Sequence, residues 1–296
     1  MSVRFDGGGT MSAHDELTRT VLERLEHTPD GRLREVMLSL VRHLHAFAVD
    51  VDLREEEWLA GVRFLTEVGR TCTPNRQEFI LLSDTLGLSS LVNDLDHPAV
   101  DGASESTILG PFYVPDAPFR DDGASIVTVD LGGEPLLVTG EVTSTDGRTL
   151  AGAVVDVWQT APNGRYDVQD TDQPEHNLRG RFRTDGKGRF SLRTVRPVSY
   201  PIPDDGPVGR LLRATGRHPW RAAHIHVIVS APGHRPLTTT IFDAEDRYVA
   251  SDAVFGVKTS RLRVFDRAAD GSLRLDEHFR LPPVPSSVQS PQGAST

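Results

Sequence analysis

One cysteine, Cys72, is all the chain contains, so intramolecular disulfides and cysteine-rich zinc or cluster sites are excluded. No apolar run approaches the roughly 20 residues a membrane span needs, and the N-terminus lacks a charged-then-apolar signal pattern. Positive charge is also short. The 32 Lys and Arg residues against 42 Asp and Glu leave a formal net charge of −10. That balance lacks the basic footprint of a general nucleic-acid or anionic-membrane binder. No H-E-x-x-H stretch exists, which removes the helix-borne zinc-hydrolase arrangement. Tyrosine is scarce, with four in 296 residues, whereas histidine is plentiful at eleven. The composition, 38% hydrophobic and 25% charged, is globular, and the expectation is a soluble cytoplasmic protein.

Residues 1–14, with Gly7-Gly8-Gly9 and no apolar period, read as a flexible leader. Over 15–104 the apolar residues recur at helical spacing. Leu17, Val21, Leu22 and Leu25 form one stripe, and Leu33, Val36, Met37, Leu40, Val41, Leu44 and Phe47 form another. Trp58, Leu59, Val62, Leu65 and Val68 form a third, and Phe79, Leu82 and Leu86 a fourth. Turn residues at 28–31 and 69–74 separate these helices, and Gly87 suits a helix end. Stripes wider than one packing surface suggest a dimer interface, with packing onto the following domain as the bland alternative.

Over 105–280 the pattern changes to short Val-, Ile- and Thr-rich runs at 126–131, 136–143, 154–159, 189–195, 224–230 and 237–242. Asn-Gly, Asp-Gly and Pro-Gly signals punctuate them, which predicts an antiparallel β-sandwich. Residues 281–296, rich in Pro, Ser and Gln, read as a mobile tail. The fold class is therefore α+β, a helical N-terminal region followed by a β-sandwich.

The sharpest local signal is His224-Ile225-His226. Alternation along a strand puts both imidazoles on one face, close enough to grip one ion, with Ile225 turned toward a core. Alone, the pair reads more readily as two partly exposed histidines. Tyr166 follows the Asn163-Gly164 turn, and Tyr200 stands in Pro197-Val198-Ser199-Tyr200-Pro201-Ile202-Pro203, where prolines stiffen an extended backbone. Tyrosine in a core or interface is the commoner use of that residue.

Gly110-Pro111-Phe112-Tyr113, the 158–166 stretch, Tyr200-Pro201, Arg221 ahead of His224-Ile225-His226, and Ala231-Pro232-Gly233-His234 follow one another in a telling order. In this the chain resembles the intradiol ring-cleavage dioxygenases, non-haem iron(III) enzymes that open catechol-type rings. The resemblance covers about 17–264 and implies one Fe(III) per chain, held by Tyr166, Tyr200, His224 and His226. Hard anionic oxygen donors suit such an ion, and two phenolates plus a hydroxide would balance its charge. Tyr200 would be the catalytic tyrosinate that leaves and takes a substrate proton, and Arg221 would stabilise negative charge. On a regular strand Arg221 would face away from the histidines, so Pro219-Trp220 is expected to make a loop or bulge that turns it inward.

Further implications concern substrate and partners. Leu81, Asp84, Ile108, Gly110, Pro111, Phe112, Ile202, Pro203, Arg221 and Val254 would line the pocket for a small aromatic diol or triol and O2. The runs at 84–89, 205–213, 216–221 and 251–257 resemble the branch that opens hydroxyquinol (benzene-1,2,4-triol) to 3-hydroxy-cis,cis-muconate, the enol form of maleylacetate. Asp84 is then either an acceptor for the third hydroxyl or an ordinary helix-surface carboxylate. Catechol or a substituted catechol is the alternative substrate, and a non-catalytic β-sandwich binding module the remote one. The family implies a homodimer through the N-terminal helices, with a lipid-like molecule enclosed. Two positions depart from it: Ala222 stands where proline is common, and Thr240 where catechol enzymes commonly carry glutamine.

Overall fold

The computed structural model describes residues 12–73 and 76–284; most of the expected leader (1–11) and tail (285–296) lies outside the described residues. The chain divides into two compact units, Met1–Glu67 and Val68–Thr296.

In the first unit, α1 (Ala13–Leu25) opens with a capping box in which the Ser12 hydroxyl accepts from the Asp15 N–H and the Asp15 carboxylate accepts from the Ser12 N–H. Asp30 caps α2 (Gly31–Asp50) by accepting from the Leu33 N–H. Thr18 Oγ1 and His45 Nδ1, 2.8 Å apart, tie α1 to α2. Neither helix buries a residue. Leu33, Val36, Leu40, Leu44 and Phe47 stay exposed on α2, as do Trp58, Leu59, Val62 and Leu65 on α3 (Glu55–Thr71). Gly69, expected in a connection, lies inside α3.

In the second unit, α4 (Glu78–Thr85) and α5 (Leu88–Asp96) meet at Gly87, whose φ of +75° only glycine adopts without strain. Eleven strands and one more α-helix follow among the described residues. They are β1 (Pro135–Ser144), β2 (Val154–Trp158), β3 (Arg179–Arg183), β4 (Arg189–Val195), β5 (Tyr200–Pro201), α6 (Pro207–Ala214), β6 (Trp220–Arg221), β7 (His224–Ser230), β8 (Leu237–Asp243), β9 (Leu262–Arg263), β10 (Asp266–Arg267) and β11 (Leu273–Leu281). One sheet runs β10-β11-β1-β4, a second β3-β2-β7-β8-β9, and β5 pairs with β6 alone. A single apolar cluster joins the two larger sheets, with Val138, Leu192, Leu275 and Phe279 from one and Val155, Val157, Ile225, Val227 and Ile241 from the other. The expected sandwich is present.

Its details differ from a purely antiparallel reading. The β1–β11 and β8–β9 pairs are parallel, because the chain returns to each sheet's neighbour by a long connection rather than a hairpin. Residues 126–131 form no strand: Asn177 Oδ1 takes the Thr128 N–H at 2.9 Å, so a side chain occupies what a ladder would use. β11 was not anticipated, since its inward row Leu273, Leu275, Glu277, Phe279, Leu281 is broken by a carboxylate. Glu277 is buried against Arg261 at 3.2 Å and Arg263 at 2.9 Å. Among the described residues, no helix is long and apolar enough to cross a membrane.

Candidate active site

β7 lies between β2 and β8, so alternation sends Ile225, Val227 and Val229 into the sandwich core and His224 and His226 to the opposite face. That face is covered rather than wet, and both imidazoles are buried. The His226 ring stacks on Trp158, its cross-strand partner, with centroids 4.9 Å apart and planes within 6°. The two Nε2 atoms are 3.0 Å apart. His224 Nδ1 lies 2.6 Å from the Ala222 carbonyl oxygen, which can only accept, so Nδ1 carries the proton and Nε2 keeps its lone pair. His226 Nδ1 faces Thr240 Oγ1 at 3.4 Å, and Thr240 Oγ1 contacts Thr107 Oγ1 at 2.7 Å.

The two phenols come to the same point by separate routes. The turn at 161–165 closes through Gly164, whose φ is +78° and where a Cβ would sit 3.3 Å from the Tyr200 Cβ, so glycine permits the close approach. Tyr200 is fixed by the β5–β6 pairing opposite Arg221. The hydroxyls of Tyr166 and Tyr200 are 3.3 Å apart, and Tyr200 Oη lies 3.5 Å from His224 Nε2. The structure thus brings all four expected ligands together.

These four groups fit a trivalent cation. Burial, reinforced by Tyr200, pushes the Tyr166 phenol well above its usual value. Burial and the Arg221 charge push His224 well below the usual imidazole range, and burial with His224 does the same to His226. His226 Nε2 either donates to the His224 Nε2 lone pair or, with its proton on Nδ1 toward Thr240, presents a second lone pair there, and in that tautomer the pair can grip a cation across 3.0 Å. Donors each about 2 Å from one ion sit roughly 3 to 3.5 Å apart, the spacing these groups show. Among the described residues, no group of three or more His, Cys, Asp or Glu side chains is arranged to hold a metal ion, so an ion held by this histidine pair would need the two tyrosine oxygens as well.

Two buried ion pairs flank the cluster. Arg221 faces inward, as the sequence suggested, but the break comes at Ala222-Ala223, between β6 and β7, rather than at Pro219-Trp220. Asp252 stabilises that break: its Oδ1 accepts from Arg221 Nε at 3.3 Å and the Ala222 N–H at 3.1 Å, and its Oδ2 from the Gly256 N–H at 2.9 Å. Arg221 Nη1 then reaches Tyr200 Oη at 3.5 Å, and Nη2 is buried without a hydrogen-bond partner. A buried guanidinium nitrogen without a partner has a donor to offer a negatively charged group. On the other side Arg179, fully buried, donates from Nε to Asp167 Oδ1 at 2.7 Å, with its guanidinium 5.8 Å from the Tyr166 ring centroid.

The expected pocket residues gather around this cluster. Leu81, Asp84, Pro111, Phe112 and Pro203 line a cleft of about 660 Å³, together with Arg76, Tyr113 and Val168. Leu81 packs with Ile108, Ile202 and Val254 in one apolar group. Phe112 stacks on Tyr166 at 4.6 Å, and a Cβ on Gly110 would sit 3.4 Å from the His226 ring. Asp84 is buried, not a helix-surface carboxylate, and burial raises its pKa while Ser89 and the Arg221 charge pull the other way. Behind the cleft wall Tyr113 donates to Asp156 at 3.2 Å, and burial pushes that carboxyl up to about 6.

Sequence reasoning missed Arg179, Asp167 and the role of Asp252. The Asp252 turn leaves a local trace, an aspartate four residues before glycine. The Arg179–Asp167 pair leaves none, because Arg179 sits in a strand reading Arg-Gly-Arg-Phe-Arg that looks solvent-facing.

Comparison with known proteins gives a consistent result. Residues 108–281 match the family described as Dioxygenase, and residues 30–104 match the family described as Catechol dioxygenase N terminus. The chain is 49% identical over 276 residues to a 6-chlorohydroxyquinol 1,2-dioxygenase of Cupriavidus pinatubonensis, covering 93% of this chain and all of that protein. It is 50% identical over 271 residues to a hydroxyquinol 1,2-dioxygenase of a Rhizobium species, covering 91% and 92% of the two chains. Among solved structures, hydroxyquinol 1,2-dioxygenase of Pseudomonas putida DLL-E4 superposes with a TM-score of 0.88 at 44% identity, covering 92% of this chain and 99% of that one.

Proposed function

Since the chain belongs to the intradiol ring-cleavage dioxygenases, and is an enzyme, we propose that it opens hydroxyquinol with O2 at a non-haem Fe(III) centre held by Tyr166, Tyr200, His224 and His226. The bond between the two adjacent hydroxylated carbons breaks, both oxygen atoms enter the product, and 3-hydroxy-cis,cis-muconate (maleylacetate) results. The observation that carries the choice of substrate is Asp84, a buried carboxyl in the wall of the cleft that also holds Leu81, Pro111, Phe112 and Pro203.

The chemistry iron(III) would supply is Lewis acidity toward the two adjacent ring oxygens and withdrawal of electron density from the ring, which opens it to O2. The side chains do the rest. Leu81, Ile108, Ile202 and Val254 make an apolar wall that excludes water from the ring. Gly110 keeps the space over His226 free of a side chain, and Phe112 braces Tyr166. Tyr200 Oη is the acceptor for a substrate hydroxyl proton, with Arg221 Nη1 beside it to hold negative charge. Asp84 accepts a hydrogen bond from the ring's third hydroxyl, a group catechol lacks.

Asp84→Ala tests this reading. The hydroxyquinol-to-catechol ratio of kcat/KM should fall by about 5- to 100-fold, the equivalent of one lost buried hydrogen bond. If wild type turned over catechol equally well and the ratio stayed unchanged in the variant, the substrate would be catechol-like instead.

The exposed apolar stripes of α2 and α3 form, in this reading, a homodimer contact that encloses a lipid-like molecule, in an enzyme of the cytoplasm. Leu40→Glu, placing a charge mid-stripe, should convert a dimer to a monomer in sedimentation velocity. A monomeric wild type would remove the dimer proposal.

A further inference from the structure

Arg217 lies outside the cleft, and nothing in the ring-opening chemistry uses it. Its backbone N–H is anchored on the Leu212 carbonyl at the end of α6, at 2.8 Å. From there Nη1 donates to the Thr85 carbonyl at 2.5 Å and Nη2 to the Ala253 carbonyl at 2.8 Å. Thr85 is the last residue of α4, where unpaired carbonyls and the helix dipole favour a cation. Among the described residues, no carboxylate pairs with this guanidinium. Its donors are spent on joining two backbone segments.

Those segments meet in the apolar group that walls the site, to which Leu81 of α4 and Val254 both belong. Thr85 follows Asp84, with Leu81 one turn earlier on α4. Ala253 sits between Asp252, which holds Arg221, and Val254, which packs with Leu81. A second layer of contacts repeats the link. The Arg217 guanidinium lies 4.6 Å from the Phe255 ring centroid, and Ser90 Oγ donates to the Val254 carbonyl at 3.2 Å. Phe255 packs on Gly87, where a Cβ would sit 3.4 Å from the ring. Phe255 also has φ +55° while 55% exposed. A large residue in the left-handed region, on the surface, persists only where neighbours hold it there.

We propose that Arg217 is a positioning residue for substrate selection: by bridging the Thr85 and Ala253 carbonyls it sets the spacing between Asp84 on α4 and the segment that carries Val254 and the Asp252 carboxylate holding Arg221. The proposal rests on hydroxyquinol being the substrate for its kinetic consequence, though not for the bridge itself.

The test compares Arg217→Met and Arg217→Lys in wild-type and Asp84→Ala backgrounds. Steady-state kinetics with hydroxyquinol and catechol are read alongside amide hydrogen exchange at 84–89 and 252–256. Arg217→Met should lower the hydroxyquinol-to-catechol ratio about tenfold, mostly through KM for hydroxyquinol, while catechol kcat/KM stays within about twofold. Arg217→Lys, which keeps one point donor, should fall between. Adding Arg217→Met to Asp84→Ala should change the ratio no further, because both act through one contact. Exchange should rise in both segments together. An equal loss for both substrates, or effects that multiply with Asp84→Ala, would overturn the proposal. If wild type shows no preference for hydroxyquinol, the substrate reading fails and exchange alone decides: a joint rise supports the bridge, and a change in neither segment or only one rejects it. Should Arg217→Met not fold, Arg217→Lys carries the same comparisons.

Discussion

Tyr200→Phe is expected to lower kcat for ring opening by about three orders of magnitude, the scale of a lost proton acceptor that also served as a ligand. Tyr200 Oη stands 3.3 Å from Tyr166 Oη, 3.5 Å from His224 Nε2 and 3.5 Å from Arg221 Nη1, so one oxygen meets the other phenol, an imidazole and the guanidinium. The fold should not suffer. The hydroxyl is buried, its neighbours are donors and lone pairs that satisfy one another poorly, and phenylalanine keeps the ring that meets Tyr166 edge-on at 5.6 Å. Iron content, measured separately, distinguishes lost metal from lost chemistry. Phenolate-to-iron(III) charge transfer absorbs visible light, so each single Tyr→Phe variant should keep a weakened band and the double variant none. A Tyr200→Phe enzyme within tenfold of wild type would remove Tyr200 from the mechanism.

Arg221→Met should cost roughly 10²- to 10³-fold in kcat, the range for removing a preorganised donor aimed at developing negative charge. It also strands Asp252, which is buried and then keeps only the Ala222 and Gly256 N–H donors. Breaking a buried pair from one side destabilises by about 3–5 kcal/mol, so the melting temperature should drop as well. Asp252→Asn separates the two effects. It keeps an acceptor for one of those N–H groups while loosening Arg221, and should lower kcat about tenfold with iron content unchanged. Equal iron, equal stability and unchanged kcat in Arg221→Met would mean that the guanidinium touches no charge in the reaction.

What was legible in the sequence is what local pattern dictates. The period of two at 224–226 placed both imidazoles on one face, and the β7 register confirms that Ile225 points the other way. Proline and glycine around Tyr166 and Tyr200 marked rigid loops, and the order of motifs pointed to a shared centre. The inward turn of Arg221 was legible as a need, but the place of the break was not. It depends on Asp252, thirty positions downstream of Ala222, capturing the Ala222 N–H.

The rest was illegible for the same physical reason. Residues 126–131 have strand composition, yet Asn177 competes for their amides. Glu277 occupies an inward position that the pattern assigns to an apolar side chain, and Arg179 is buried on the outer face of β3 that the pattern gives to solvent; only Arg261 and Arg263 for the one and Asp167 for the other, distant in sequence, make those positions tenable. The Thr240 hydroxyl behind His226 was noted as a departure, without the partner Thr107 that now accompanies it.

The most direct test of the central claim is titration of the iron-depleted protein with Fe(III), followed by visible absorption. A broad visible band should grow linearly and stop at one equivalent per chain, and Tyr166→Phe/Tyr200→Phe should show none at any iron concentration. A wild-type protein that binds its equivalent and stays colourless, or a double variant as coloured as wild type, would contradict the assignment of both phenols to the metal.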